Sequence, residues 1–156
     1  MAKFTLKNVL QVLNLMAESE NAMAGLYEAA SKTWRNEAKF WQNLAEQERK
    51  HAECVSKMIE LVSKSPDQFR QGRPFTAEPL NVFLAKIRTA ITEVETKTIS
   101  KSRFVSLALS IEDHVIESNY SQIVITDNAA YKALEKEILS ETVNHKAALN
   151  SLKGNP

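Results

Sequence analysis

Long stretches of this chain carry apolar residues at helical spacing, and very few residues interrupt them. Apolar side chains recur at intervals of three and four over four segments, which is typical of amphipathic α-helices. The 156 residues include only three glycines and four prolines. A β-sandwich or β-barrel needs many more turns than so few helix-breaking residues can provide. The sequence therefore predicts an all-α fold, and its length fits a single domain over residues 1–156.

The four segments form two pairs. Helices are predicted at about residues 5–32, 36–63, 102–126 and 127–152. Short connections within each pair indicate antiparallel neighbours, so the helix pairs cover about residues 5–63 and 102–152. A crossover of residues 64–101 joins the pairs, and from Pro79 onward its apolar residues again repeat at helical spacing. These features predict a four-helix bundle with a long crossover that contains an extra helix.

Charge and cysteine content exclude several classes of function. Twenty basic and nineteen acidic residues leave a net charge of +1, whereas an electrostatic nucleic-acid binder carries a large basic surplus. The single cysteine, Cys54, cannot build a disulfide framework, a zinc ribbon or a rubredoxin-type site. No apolar run is long enough to predict a membrane-spanning helix. We therefore expect a reduced, cytoplasmic protein that binds neither nucleic acid nor membrane.

Each helix of the predicted bundle has an acidic residue on its apolar stripe. Successive residues of a helix turn by about 100°, and by this rule four glutamates and two histidines share a face with apolar side chains. They are Glu20 on the first helix, Glu48 and His51 on the second, Glu112 on the third, and Glu141 and His145 on the fourth. Nearby glutamates such as Glu18, Glu46 and Glu53 are predicted to point outward instead.

Inward-facing carboxylates need a compensating partner. An isolated buried carboxylate loses several kcal/mol of solvation, and four that converge also repel one another. Cations remove both problems, and four glutamates with two histidines match the donor set of a dinuclear iron or manganese centre. Taken singly, His51 or His145 fits a hydrogen-bonded core histidine equally well. The six residues together predict a metal site.

The second half of this ligand set is less regular than the first. Tyr27 precedes Glu48 by twenty-one residues, and Tyr120 precedes Glu141 by the same number, which indicates an internal duplication. In strict register, however, the second copy would use two different side chains at its remaining ligand positions. The alternatives are Asp113 in place of Glu112 and Asn144 in place of His145. Side-chain direction favours Glu112 and His145, which lie nearer the centres of their apolar stripes.

At these residues the chain resembles the rubrerythrin-like branch of the ferritin-like superfamily. The first half carries the resemblance best, through the stretch Glu20-Asn-Ala-Met-Ala-Gly-Leu-Tyr27 and the motif Glu48-Arg-Lys-His51. A weaker echo runs from residue 107 through Tyr120 to Glu141-Thr-Val-Asn-His145. The resemblance covers nearly the whole chain except the crossover.

The resemblance implies a ferritin-like bundle with a carboxylate-bridged di-iron or di-manganese centre. It also implies a peroxidase-type oxidoreductase that acts on peroxide or dioxygen. Because one cysteine cannot supply the rubredoxin domain of rubrerythrins proper, a separate electron donor is expected. Thr142 stands where a second Glu-x-x-His motif would carry its glutamate, which weakens the prediction for the second metal.

The resemblance further assigns a role to each candidate residue. The ligands implied are Glu20, Glu48 and His51 for one metal, and Glu141 and His145 for the other, with Glu112 as a terminal ligand. Glu48 and Glu141 would be the bridging carboxylates. Tyr27 and Tyr120 would donate hydrogen bonds that orient the carboxylates.

Two other functions remain open at this point. One is a non-enzymatic iron-binding or storage protein, which would assemble into a shell and hold many irons per chain. The other is a helical interaction module that has lost its metal. The oligomeric state is also open, a homodimer included.

Overall fold

The computed structural model describes residues 2–72, 77–118 and 123–153. These residues form five α-helices and a small two-stranded sheet. The helices are α1 (Ala2–Thr33), α2 (Ala38–Lys64), α3 (Glu78–Glu95), α4 (Lys101–Ser118) and α5 (Ala129–Lys153), and the strands are β1 (Phe69–Gln71) and β2 (Val124–Thr126). The protein is mostly helical, which confirms the predicted all-α class.

The small sheet corrects the prediction for the second half of the chain. A helix was expected to continue through Thr126, but Val124–Thr126 is a strand that pairs antiparallel with β1. In this pairing Phe69 lies opposite Thr126, and Gln71 lies opposite Val124. The run of β-branched residues from Ile123 to Thr126 favours extended structure. The partner strand lies more than fifty residues earlier in the sequence, where helical periodicity cannot reveal it.

Side-chain caps set where the last two helices begin. The Asn128 side chain accepts a hydrogen bond from the backbone N–H of Tyr131 at 2.9 Å, which is the usual N-cap contact to the third residue of a helix. The Ser100 hydroxyl accepts an equivalent bond from the backbone N–H of Arg103 at 3.2 Å. Asn128 therefore ends the strand connection and starts α5, close to the predicted boundary.

The helices pack in a way that places the extra helix on the outside of α1. Helix α1 runs along α2, α4 runs along α5, and α2 also contacts α5. The crossover helix α3 contacts α1 and buries one apolar face, and the Thr33 hydroxyl donates to the Val94 carbonyl at 3.3 Å. Because α3 packs on the outer side of α1, the interior is formed by side chains of α1, α2, α4 and α5. Within the described residues, no helix has an apolar stretch long enough to cross a lipid bilayer.

The docking of α3 on α1 can be tested with two valines of the same helix. Val94 is fully buried, whereas Val82 is 65% exposed. We expect Val94→Ala to lower the free energy of unfolding by about 2 kcal/mol, because it removes buried methyl groups and leaves a cavity. Val82→Ala should change it by less than about 0.5 kcal/mol. Urea titration of both variants measures the difference, and equal effects would contradict the packing of α3.

Candidate metal centre

Five ionisable side chains from four helices meet in the interior of the protein. They are Glu20 of α1, Glu48 and His51 of α2, Glu112 of α4 and His145 of α5, and each is at most 2% exposed. The two imidazole rings stack with their centroids 5.2 Å apart. We call these five residues the Glu/His cluster. All of them were candidates from the sequence, and the sixth candidate, Glu141, lies at the edge of the cluster with 34% of its side chain exposed.

His51 presents its two ring nitrogens to different partners. Its Nδ1 lies 3.3 Å from a carboxylate oxygen of Glu48 and 3.7 Å from one of Glu20. Its Nε2, on the opposite side of the ring, lies 2.6 Å from a carboxylate oxygen of Glu141. One nitrogen of His51 therefore faces the buried carboxylates, and the other contacts a residue that reaches solvent.

His145, on α5, also presents its two ring nitrogens to different partners. Its Nδ1 lies 3.0 Å from the other carboxylate oxygen of Glu48 and 3.6 Å from one of Glu112. Its Nε2 lies 2.5 Å from the side-chain oxygen of Gln47. Glu48 consequently lies between the two histidines, with one oxygen directed to each.

Tyr27 fixes the carboxylate of Glu112. Its hydroxyl donates a hydrogen bond of 2.6 Å to one oxygen of Glu112. Burial, together with the negative charges of Glu112 and Glu48, raises the pKa of Tyr27 well above its usual value. The phenol therefore keeps its proton and remains a donor at neutral pH. The other tyrosine assigned this role, Tyr120, lies outside the described residues.

Without a cation, protons hold the Glu/His cluster together. Burial alone would lower the pKa of His51, but the carboxylates of Glu20 and Glu48 outweigh burial and raise it to about 11. The same competition, with Glu112 and Glu48 as the carboxylates, raises the pKa of His145 to about 9. Burial and the charges of Glu112 and Glu20 raise the pKa of Glu48 well above its usual value. Positive charge is thus favoured wherever these side chains meet.

Several polar atoms of the Glu/His cluster have no hydrogen-bond partner among the described residues. They include the Oε2 of Glu112, and also the Nδ1 of His51 and the Oε2 of Glu48, which lie 3.3 Å apart as an ion pair without forming a well-aligned hydrogen bond. Buried polar atoms in this condition are rare in proteins and destabilising. Glu48, His51 and His145 each offer one ligand atom, and these three atoms lie within 4.8 Å of one another. The group can therefore hold a metal ion, and its mixed carboxylate and imidazole donors suit a first-row transition metal.

The alternatives in the second half of the chain lie outside this arrangement. Asp113 is half-exposed and forms an ion pair with Lys146, and Asn144 is exposed on α5. Glu112 and His145, by contrast, are buried and contact each other within the cluster. Side-chain direction was therefore a better guide than strict repeat register.

Thr142 does not replace the glutamate that the second motif lacks. It is buried, and its hydroxyl donates to the carbonyl of Ile138 in the same helix at 2.7 Å. The Thr142 hydroxyl therefore donates its proton to a hydrogen bond within α5. Glu48 thus has no carboxylate counterpart at the position three residues before His145.

Gln47 is the contact residue that the sequence interpretation missed. It precedes His51 by four residues, as Glu141 precedes His145, so both lie on the same helix face as the histidine that follows them. Each reaches across to the histidine of the opposite helix, at the nitrogen remote from the buried carboxylates. Such outer contacts set the ring orientation and the tautomer of a histidine. Whether Glu141 also binds metal as a bridge stays a prediction.

Comparison with protein-family models, with curated proteins and with solved structures found no match to this chain. The resemblance to rubrerythrins therefore stays a prediction that depends on the residues quoted for it.

The raised histidine pKa values predict how the metal-free protein responds to pH. A histidine whose folded pKa lies above the unfolded value of about 6.5 stabilises the fold below that pH and loses its contribution as pH rises. The free energy of unfolding should therefore fall as the pH rises through about 9, where His145 loses its proton, and toward about 11, where His51 does. Urea titrations in chelator across this range measure the slope. His145→Gln should make the decrease between about pH 6.5 and about 9 shallower, because only His51 then contributes to it. Constant stability in the parent protein would contradict the assignment.

Proposed function

We propose that this protein binds two divalent metal ions, iron or manganese, at the Glu/His cluster of a ferritin-like bundle. We further propose that it is an oxidoreductase that acts on peroxide or dioxygen with an external electron donor. The observation that carries the proposal is the position of Glu48 between His51 and His145. One oxygen of Glu48 is directed to each ring, at 3.3 Å and 3.0 Å, as a bridging carboxylate requires.

The two sides of Glu48 support two similar metal positions. On one side Glu20 and His51 complete a donor set with Glu48, and on the other side Glu112 and His145 do the same. Compared with the assignment implied by the resemblance, Glu112 then takes a full place at the second metal. Glu141 orients His51 instead of bridging the metals.

Charge balance also supports two divalent cations. Glu20, Glu48, Glu112 and Glu141 together carry four negative charges when ionised, and two divalent cations carry four positive charges. Ligand nitrogens must be deprotonated before they bind a metal, so loading would displace the protons that His51 holds in the metal-free state. Metal would thereby replace protons as the positive charge that the buried carboxylates need.

The side chains of the cluster would form a reaction site that water cannot enter freely. Iron(II) held by these residues would supply one electron per ion, so that two ions and two protons would suffice to reduce one peroxide molecule to two water molecules. Tyr27 holds Glu112 in place through its 2.6 Å hydrogen bond, and the near-complete burial of the cluster keeps bulk water from the reacting atoms. The histidines, each held at the remote nitrogen by Glu141 or Gln47, keep their ring orientation during the reaction.

Metal content of matched variants tests the proposal. The protein loaded with iron(II) without oxygen should bind about two ions per chain, and His51→Ala and Glu48→Gln should lose at least one of them. The control His114→Ala changes a histidine whose ring stacks on Phe83, and it should retain both ions. Elemental analysis of washed protein measures the content. The rise in melting temperature on loading should also be lost in His51→Ala and kept in His114→Ala.

The same samples separate the proposal from its alternatives. Consumption of peroxide by the loaded protein in the presence of a one-electron reductant is expected, and Glu48→Gln should abolish it. Many irons per chain in a large shell, without turnover, would indicate storage. Fewer than about one metal in ten chains would contradict metal binding. A Glu20→Ala variant that is more stable than the parent in chelator would then identify a helical module without metal.

The role of Glu141 predicts an effect that differs from that of Glu48. Glu141→Gln keeps a side-chain oxygen that can contact His51 but removes the charge. It should still bind two ions, with affinity lower by about tenfold to a hundredfold, because the contact that orients His51 loses its negative charge and becomes weaker. Competition titration with a calibrated chelator measures the affinity. Complete loss of one ion in Glu141→Gln would show that Glu141 is a ligand itself.

A further inference from the structure

A series of oxidisable aromatic rings leads from the Glu/His cluster toward the protein surface. Tyr27, whose hydroxyl contacts Glu112, stacks on Trp41 with ring centroids 5.9 Å apart and an interplanar angle of 19°. Trp41 in turn lies 6.4 Å from Trp34. Trp34 directly follows α1 and is only partly buried. The three rings therefore form a continuous path from the buried carboxylates to solvent.

We propose that Tyr27, Trp41 and Trp34 conduct single electrons between the Glu/His cluster and the surface beside Trp34. The electrons come from an external one-electron reductant of the ascorbate or thiolate class. The role of this path in turnover depends on the proposed function, since the path would carry electrons from the external donor that such a centre needs. The path itself depends only on the aromatic side chains.

The types of residue along the path favour conduction over simple packing. Tyrosine and tryptophan can each lose one electron to a strong oxidant, whereas phenylalanine cannot do so under comparable conditions. The phenylalanines beside Trp41, which are Phe40 at 4.9 Å and Phe104 at 5.2 Å, enclose the path without extending it to the cluster. Trp41 is fully buried, and its ring N–H has no hydrogen-bond partner among the described residues. A phenylalanine would fill the core without that unsatisfied donor.

Burial of the cluster makes such a path necessary for a bulky donor. Its five residues are at most 2% exposed, so a reductant larger than a few atoms cannot touch them. Trp34 contacts both Trp41 and Phe104, at centroid distances of 6.4 Å and 5.0 Å. It is thus held against the buried rings while part of it remains accessible.

Each step of the proposed transfer balances in electrons and protons. With peroxide as the oxidant at the iron-loaded cluster, Tyr27 would give up one electron, and its phenolic proton would pass to the oxygen of Glu112 that already accepts its hydrogen bond. Trp41 then gives one electron to Tyr27, which recovers its proton from Glu112. Trp34 reduces the Trp41 radical cation, and the external reductant restores Trp34. The net result is one electron moved inward from the reductant.

The path can be tested in the full chain without metal, by driving electrons outward. A photogenerated ruthenium(III) polypyridyl complex in solution oxidises accessible side chains, and electron paramagnetic resonance of rapidly frozen samples detects the radicals. We expect a Tyr27 radical, identified as the tyrosyl signal that the parent protein shows and Tyr27→Phe lacks. Because Tyr27 is fully buried, the complex can oxidise it only through other side chains. Trp41→Phe should lose the same signal while a tryptophan radical remains. The control Phe40→Leu, which removes a neighbouring ring outside the path, should retain it.

Retention of the Tyr27 signal in Trp41→Phe, or its absence from the parent protein, would overturn the proposal. Trp34→Phe provides a second test if the core substitution disturbs folding, since Trp34 is only partly buried, and it should also lose the signal. In the iron-loaded protein, Trp34→Phe should slow reduction of the oxidised centre by ascorbate without changing the iron content. An unchanged rate there would likewise count against the path. A chain that binds no metal would contradict the proposed function but leave the radical experiment fully interpretable.

Discussion

The buried carboxylate of Glu48 between two histidines is the interaction on which the rest of this structure depends. A carboxylate at such depth is strongly destabilising unless positive charge is close to it. His145 comes from a position 97 residues away in the sequence, so α2 and α5 must lie side by side before that charge can be supplied. The need to neutralise Glu48 thus links the two halves of the chain. The packing of α1 and α4 then adds the carboxylates of Glu20 and Glu112 on either side.

Tyr27 connects the charged interior to the aromatic core. Its ring stacks on Trp41 and its hydroxyl binds Glu112, so a single residue belongs to both regions. Rigid packing around the ring therefore also determines where the Glu112 carboxylate lies. Precise placement of this kind is what a binding or catalytic site requires of its supporting residues. The apolar core is in this sense part of the site.

Helical periodicity could predict most of the fold and most of the cluster, because both depend on which face of a helix a residue occupies. It correctly turned Glu20, Glu48 and Glu112 toward the interior. It could not predict the pairing of β1 with β2, which joins segments that are distant in the sequence. Gln47 was missed because a polar residue beside an apolar stripe gives no signal of its own. The face of a helix also does not reveal which nitrogen of His51 a neighbour such as Glu141 will touch.

The partial exposure of Glu141 bears on how a cation from solvent could reach the interior. The other carboxylates near the histidines are sealed from water, while 34% of the Glu141 side chain remains in contact with it. For a cation bound as proposed, Glu141 would be the first of these carboxylates to be contacted from this side, because the others are buried. Glu141 would then affect the rate of cation binding as well as the orientation of His51, while the buried carboxylates would provide most of the affinity. Ionic strength would influence the rate of binding more than the affinity, because salt screens the exposed charge of Glu141 much more than the buried charges.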